Sequence, residues 1–285
     1  MAPTLPTPAS NTITLSLPHP QVLLVTLSRP KALNSISTAG HHDLHAIWTW
    51  MDNEPSIRVG ILTGSGRAFC AGADLKEWNT NVQTPTSSST STPSTPSTPG
   101  MPPSGFGGLS RRSGKKPIIC AVNGLCLGGG CEMVLNADMV IASSKAYFGL
   151  PEVQRGVVAW AGALPRLGRI VGRQRAMEMA LTGRKVPAEE AERWGIVNEV
   201  VGDDGGKGVV ERAVEVAVQI AGNSPDAVLV SREGIKLGWE GIGVEEATRL
   251  LTEGWSDKLN QGENIREGLR AFVEKRKPVW RDSKL

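Results

Sequence analysis

The sequence predicts a mixed α/β protein, and three observations predict it. Short apolar runs at 22–27 (VLLVTL), 57–63 (IRVGILT), 118–123 (IICAVN) and 138–142 (DMVIA) read as strands. Helical patterns separate the later strands, as a mixed core requires. From about Val209 onward the pattern is helical throughout: VVERAVEVAVQIAG, DAVLVSREGIKLG, then VEEATRLLTEGWSDKL.

Taken in order, residues 1–18 are expected to be a flexible tail. They lack the basic and apolar regions of a secretory signal. A core follows over 19–208. Its first strand, Val22–Leu27, runs into the turn SRPKALNS, and a helix is expected from about 38 to 52, with Leu44, Ile47, Trp48 and Met51 on one face. The Ser/Thr/Pro tract at about 80–108 holds too little apolar surface to order itself and is expected to be a flexible insertion within the domain. A helical C-terminal region over 209–282 ends in Ser283-Lys284-Leu285, a tripeptide that a peroxisomal import receptor reads.

Bulk composition narrows the function classes. With 40% hydrophobic and 21% charged residues the chain is of the soluble globular type, and a net charge of +3 does not by itself point to nucleic acid or a membrane surface. No apolar run is long enough to span a bilayer. The cysteines, Cys70, Cys120, Cys126 and Cys131, form no CxxC pair and sit in apolar or glycine-rich runs, so buried free thiols are expected and no metal site is.

Three stretches carry candidate chemistry. In FCAGADL (69–75) and NGLCLGGGCE (123–132), a strand runs through a glycine turn into a helix, whose exposed N–H groups can hold an oxyanion. The glycines match neither a phosphate loop nor a dinucleotide fingerprint. The third stretch, YFGLPEVQRGVVAWAG (147–162), sets one acid, Glu152, among apolar residues. Singly, Glu132 reads equally as a helix-terminal charge, and Glu152 as the ion-pair partner of Arg155 or Arg166. Together, two acids converging on an apolar pocket suit proton transfer. His19, His41, His42 and His45 all fall in the N-terminal segment, apart from the glycine turns, which disfavours a Cys–His nucleophile.

These residues resemble the enoyl-CoA hydratase/isomerase (crotonase) superfamily, from VTLSRPKALNS through GRAFCAGADLKEW, NGLCLGGGCEMVLNADMVIAS and FGLPEVQRG to the TGRKVPAEEAERWGIVNEVV segment. The resemblance implies a spiral of ββα turns with a helical C-terminal region used to form a homotrimer or a dimer of trimers. It implies an oxyanion hole from the N–H groups of Ala73 and Gly129, and Glu132 and Glu152 as the catalytic pair. Lys31, Ala32, Leu33, Ala71, Asp74, Leu75, Lys76 and Gly128 would line the path of the acyl-CoA, with Trp160 at the acyl end. Coenzyme A enters as part of the substrate, and no separate cofactor is implied.

The implied reaction is reversible hydration of a 2-enoyl-CoA: Glu132 activates water at the β-carbon and Glu152 delivers the α-proton. The Ser/Thr/Pro tract, SGFGGLSRR and the SKL ending are also similar to fungal hydratases of secondary metabolism, including dehydration of mevalonyl-CoA in a siderophore pathway. Where family hydratases carry a proline and a glycine, this chain has Ala159 and Trp160, so Trp160 reads either as pocket lining or as core or trimer packing. The alternative readings are isomerisation of a 3-enoyl-CoA, and RNA binding through Arg111, Arg112, Lys115 and Lys116; nucleic acid is not the favoured partner.

Overall fold

The computed structural model describes residues 3–83, 100–202 and 205–285. Its strands are β1 (Ile13–His19), β2 (Val22–Leu27), β3 (Val59–Gly64), β4 (Ala68–Cys70), β5 (Ile118–Val122), β6 (Leu125–Leu127), β7 (Met139–Ser143), β8 (Tyr147–Gly149), β9 (Val186–Pro187) and β10 (Glu199–Val201). The helices are α1 (Thr38–Asn53), α2 (Leu75–Gln83), α3 (Gly129–Val134), α4 (Ala163–Val171), α5 (Arg173–Thr182), α6 (Ala188–Arg193), α7 (Lys207–Ala221), α8 (Pro225–Trp239), α9 (Val244–Gln261) and α10 (Glu263–Val273).

The strands form two sheets, one ordered β1-β2-β3-β5-β7-β10 and one ordered β4-β6-β8-β9. The chain alternates between them. β3 in the large sheet leads to β4 in the small one, β5 leads to β6, and β7 leads to β8; β4, β6 and β8 pair in parallel. A helix follows β4 and β6, so each turn contributes two strands and returns, which builds a ββα spiral. The small sheet therefore carries the strand-to-helix turns side by side.

Strand alternation explains the two cores. On β3, Val59 and Ile61 face α7 and meet Val209, Ala213 and Ala217, whereas Leu62 faces inward to Phe69, Cys120 and the aliphatic face of α1. Gly60 lets α1 approach: a methyl there would stand 2.7 Å from the Met51 sulfur. The apolar stripe Leu44, Ile47, Trp48 and Met51 is buried, and Ser37 caps the helix through its hydroxyl to the Gly40 N–H.

Three sequence expectations are corrected. The flexible tail does not extend to residue 18, since β1 pairs antiparallel with β2, and the N–H groups of Ala9 and Ser10 donate to the Asp43 carboxylate. ITLSLPH alternates as an edge strand does, but its Pro- and Thr-rich surroundings disguise it. The insertion expected over 80–108 is bounded differently: α2 runs to Gln83, residues 84–99 lie outside the described residues, and from Gly100 the chain is again placed, with Phe106–Gly108 buried. Helix ends at Val273, and the remaining segment lies on the body, the Trp280 indole N–H donating to the Gly222 carbonyl (2.9 Å) and the Arg281 N–H to Asn264 Oδ1 (2.9 Å). Among the described residues no helix is long and apolar enough to cross a membrane.

Candidate active site

The first glycine turn links β4 to α2. Ile36 bridges Ala73 in parallel: the Ile36 N–H donates to the Gly72 carbonyl (3.0 Å) and the Asp74 N–H to the Ile36 carbonyl (3.0 Å). A parallel bridge of this kind uses the groups flanking Ala73 and leaves the Ala73 N–H on the opposite side. Gly72, at φ +97°, leans against the second turn, where a methyl would lie 3.3 Å from the Gly129 nitrogen. The two turns are thus in van der Waals contact.

The second turn links β6 to α3. Gly128 takes φ +55°, and its N–H donates to the Gly149 carbonyl (2.9 Å). Gly129, first in the helix, has no acceptor within it for its N–H. Added side chains on this turn would collide: at Gly129 with the Phe106 ring, and at Gly130 with the Cys70 backbone. The glycines are what let α3 dock on β4 and let Phe106 cover the turn.

Glu132 sits in the first turn of α3 and is 4% exposed. Its Oε2 accepts the Ala163 N–H (3.1 Å). Burial pushes its pKa up to about 7; the Ala163 N–H opposes that rise, the Glu152 carboxyl adds to it, and Arg166 pulls the other way. Glu152 lies in a short 3-10 turn, Pro151–Arg155. Burial raises its pKa as well, against Arg155. Among the described residues its buried Oε2 meets no hydrogen-bond donor, and its Oε1 lies 3.2 Å from where a Gly128 side chain would begin. A buried, unpartnered carboxylate oxygen beside a glycine turn is poised for a group from outside the chain. Neither glutamate forms an ion pair among the described residues, so Glu152 is not paired with Arg155 or Arg166; Glu132 does lie in the first turn of its helix.

The other sequence-selected residues divide. Lys31 and Ala32 lie in a short 3-10 turn that ends at Leu33 with left-handed backbone, and Leu33 is tied to the first glycine turn by the Ala71 N–H (3.0 Å to its carbonyl). Asp74 pairs with Arg29 (2.9 Å), while Leu75 and Lys76 are exposed on α2. Trp160 is 71% exposed in this chain and is no part of its core, which removes the core-packing reading. Half of the basic cluster is withdrawn from the surface: Arg112 is buried against Asp52, and Lys116 is buried, its ammonium donating to the carbonyls of Met51 and Glu54, while Arg111 and Lys115 are exposed.

Sequence reasoning set the histidines apart from the glycine turns, and His41 corrects this. Its ring meets Phe106 edge-on at 4.4 Å, and its Nδ1 accepts the Gly107 N–H (3.0 Å) while the Trp48 indole donates to the Gly107 carbonyl (3.1 Å). Burial lowers its pKa to about 4, so the ring stays neutral and keeps the lone pair that this bond uses. Phe106, the ring covering Gly129, was also missed; the glycines on both sides of it in SGFGG were the available signal. The four cysteines are free and buried, and no metal-binding cluster of His, Cys, Asp or Glu occurs among the described residues.

Comparison with known proteins places this geometry. The family model for enoyl-CoA hydratase/isomerase matches residues 19–283. The chain is 54% identical to the mevalonyl-coenzyme A hydratase of Beauveria bassiana over 98% of both proteins, and 53% identical to that of Aspergillus fumigatus over 95% of both. It is 37% identical to the carnitinyl-CoA dehydratase of Proteus mirabilis, over 91% of this chain and 95% of that one. Among solved structures, the enoyl-CoA hydratase of Mycobacterium tuberculosis superposes with a TM-score of 0.82 at 31% identity, over 96% of this chain and all of its own.

Proposed function

We infer, from the premise that the chain belongs to the enoyl-CoA hydratase/isomerase family, that Glu132 and Glu152 interconvert a 3-hydroxyacyl-CoA and its 2-enoyl-CoA, and that the acyl group is mevalonyl. The chain is a hydro-lyase of the enoyl-CoA hydratase type. The observation that carries the residue roles is the pair of buried, raised carboxyls beside two touching glycine turns. The mevalonyl assignment rests on the two fungal relatives, whose names specify that substrate.

In the dehydrating direction the thioester oxygen accepts the N–H groups of Ala73 and Gly129. The Glu152 carboxylate takes the α-proton, and the electron pair of that C–H bond moves into the enolate held by those two donors. As the enolate collapses to the 2,3-double bond, the C3–O bond breaks and the hydroxyl leaves as water with the proton of Glu132. A carboxyl whose pKa is about 7 holds that proton in about half of the molecules at neutral pH. Hydration is the same path reversed. Lys31, Ala32, Leu33, Ala71, Asp74, Leu75, Lys76 and Gly128 line the approach of the CoA, and Trp160 stands at the acyl mouth or against a neighbouring subunit. CoA is substrate, and the scheme calls on no other cofactor.

A panel of 3-hydroxyacyl-CoAs, with mevalonyl-CoA beside straight-chain and branched analogues, followed at the enoyl-thioester absorbance, tests the reading. Mevalonyl-CoA should turn over fastest; equal rates for straight-chain substrates overturn the acyl assignment, and background rates throughout overturn the catalytic one.

The C-terminal helices support self-association as a homotrimer or dimer of trimers. Leu269, Phe272 and Val273 of α10 are exposed in the single chain, Phe272 by 84%. A monomeric mass by light scattering at micromolar concentration would refute it. Ser283-Lys284-Leu285 supports recognition by the import receptor and a peroxisomal location. A fluorescent fusion that stays outside peroxisomes with those residues free at its C-terminus would refute the location, and one that enters peroxisomes without them would refute their role.

A further inference from the structure

We propose that Ser110 is a positioning residue that locks the turn covering the oxyanion hole to the loop holding the Glu132 carboxylate. The proposal rests on the reaction above. The Ser110 side chain is fully buried and makes two hydrogen bonds. Its hydroxyl accepts the Phe106 N–H (2.8 Å) and donates to the Ala161 carbonyl (2.8 Å). On one side, Phe106 is the ring laid over Gly129. On the other, Ala161 begins the segment whose Ala163 N–H donates to the Glu132 carboxylate (3.1 Å).

The peptide geometry makes this a lever. Ser110 holds the Ala161–Gly162 peptide by its oxygen, and Arg166 holds the next one, donating to the Gly162 carbonyl (3.0 Å). Gly162, at φ +109°, is the joint between two peptides that are each pinned. A glycine at such an angle has no side chain to limit it, so the two pins together set the direction of the Ala163 N–H, which belongs to the second peptide. Removing Ser110 frees the first peptide and so one side of the Gly162 joint, which leaves the Ala163 N–H with the Arg166 pin alone. One hydroxyl thus spans from the donor side of the site to the acid side, across 51 residues of sequence.

The charged groups facing Glu132 are Glu152 and Arg166, and Ser110→Ala leaves both in place. A less firmly aimed Ala163 N–H then weakens the carboxylate form of Glu132, so the alkaline limb of the dehydration profile moves up. The test is the pH dependence of kcat and kcat/KM for mevalonyl-CoA dehydration by Ser110→Ala, beside Thr63→Val. The control removes a buried hydroxyl of the same type, which donates to the Ala121 carbonyl (2.8 Å) away from the glutamates.

Ser110→Ala should lower kcat about tenfold with KM changed less than twofold, and raise the alkaline limb by about half a unit. Thr63→Val should lose comparable thermal stability with an unmoved profile. Ser110→Cys, a weaker donor of similar shape, should fall between wild type and Ser110→Ala, and it carries the measurement if Ser110→Ala does not fold. An active wild type with Ser110 variants indistinguishable from Thr63→Val in kcat and profile refutes the positioning role. An inactive wild type refutes the reaction instead.

Discussion

Replacing Glu132 by Gln should abolish dehydration and make the protein more stable at alkaline pH. The carboxyl rises from its ordinary 4.5 to about 7, chiefly through burial. The folded chain therefore keeps a proton that the unfolded chain releases between those values. Wild-type stability from this group is complete below about 4.5 and declines as pH rises, levelling off above about 7. A shift of about 2.5 units corresponds to roughly 3 kcal/mol. Gln does not titrate and accepts the Ala163 N–H through its amide oxygen, so the variant escapes that loss. Its melting temperature should match wild type near pH 5 and exceed it by about 5–10 °C near pH 8. Activity should fall by about 10²–10⁴-fold. Melting curves by fluorimetry at the two pH values, with a parallel assay of enoyl-thioester formation, give both numbers. A melting difference that is the same at pH 5 and pH 8 would refute the raised carboxyl, and activity within tenfold of wild type would refute its role.

Other consequences follow from the same geometry. Arg166→Gln removes a cation that favours the Glu132 carboxylate, so the alkaline limb of the dehydration profile should rise; a limb that stays or falls excludes the electrostatic link. Gly129→Ala drives a methyl into the Phe106 ring, and kcat/KM should drop about 100-fold or more with an unchanged circular dichroism spectrum. Adding Phe106→Ala should recover part of that loss, because the overlap is with a side chain; no recovery would locate the damage elsewhere. Arg112→Ala leaves the Asp52 carboxylate without its buried partner and should cost about 3 kcal/mol in urea unfolding, with kcat little changed in the folded fraction.

Where function depends on residue type at a local position, the sequence was readable. GGG before CE states that three successive backbone positions disfavour a side chain, and the structure gives each its reason: left-handed backbone at Gly128, the Phe106 ring at Gly129 and the Cys70 backbone at Gly130. Glu152 stands out because its surroundings are apolar, and those surroundings are what raise it. The spiral itself becomes legible through the order of these motifs.

Tertiary proximity was not legible. His41 reaches Gly107 across 66 residues, and Ser110 reaches Ala161 across 51. A histidine on an amphipathic helix and a serine in a glycine-rich loop carry no local mark of such partners. The edge strand β1 was hidden for a related reason: its pairing with β2 is a property of the neighbour, whereas its own proline-flanked composition reads as tail. The burial of Arg112 and Lys116 was illegible because charge in sequence says nothing of burial, and Asp52 lies 60 residues from Arg112.

Residues 84–99 separate the two halves of the site. Ala73 and His41 precede them, while Phe106, Gly129, Glu132 and Glu152 follow. The halves hold each other through β3 paired with β5 and through His41 and Trp48 on Gly107. The candidate site is therefore composite: neither the segment before residue 84 nor the one after residue 99 carries it alone.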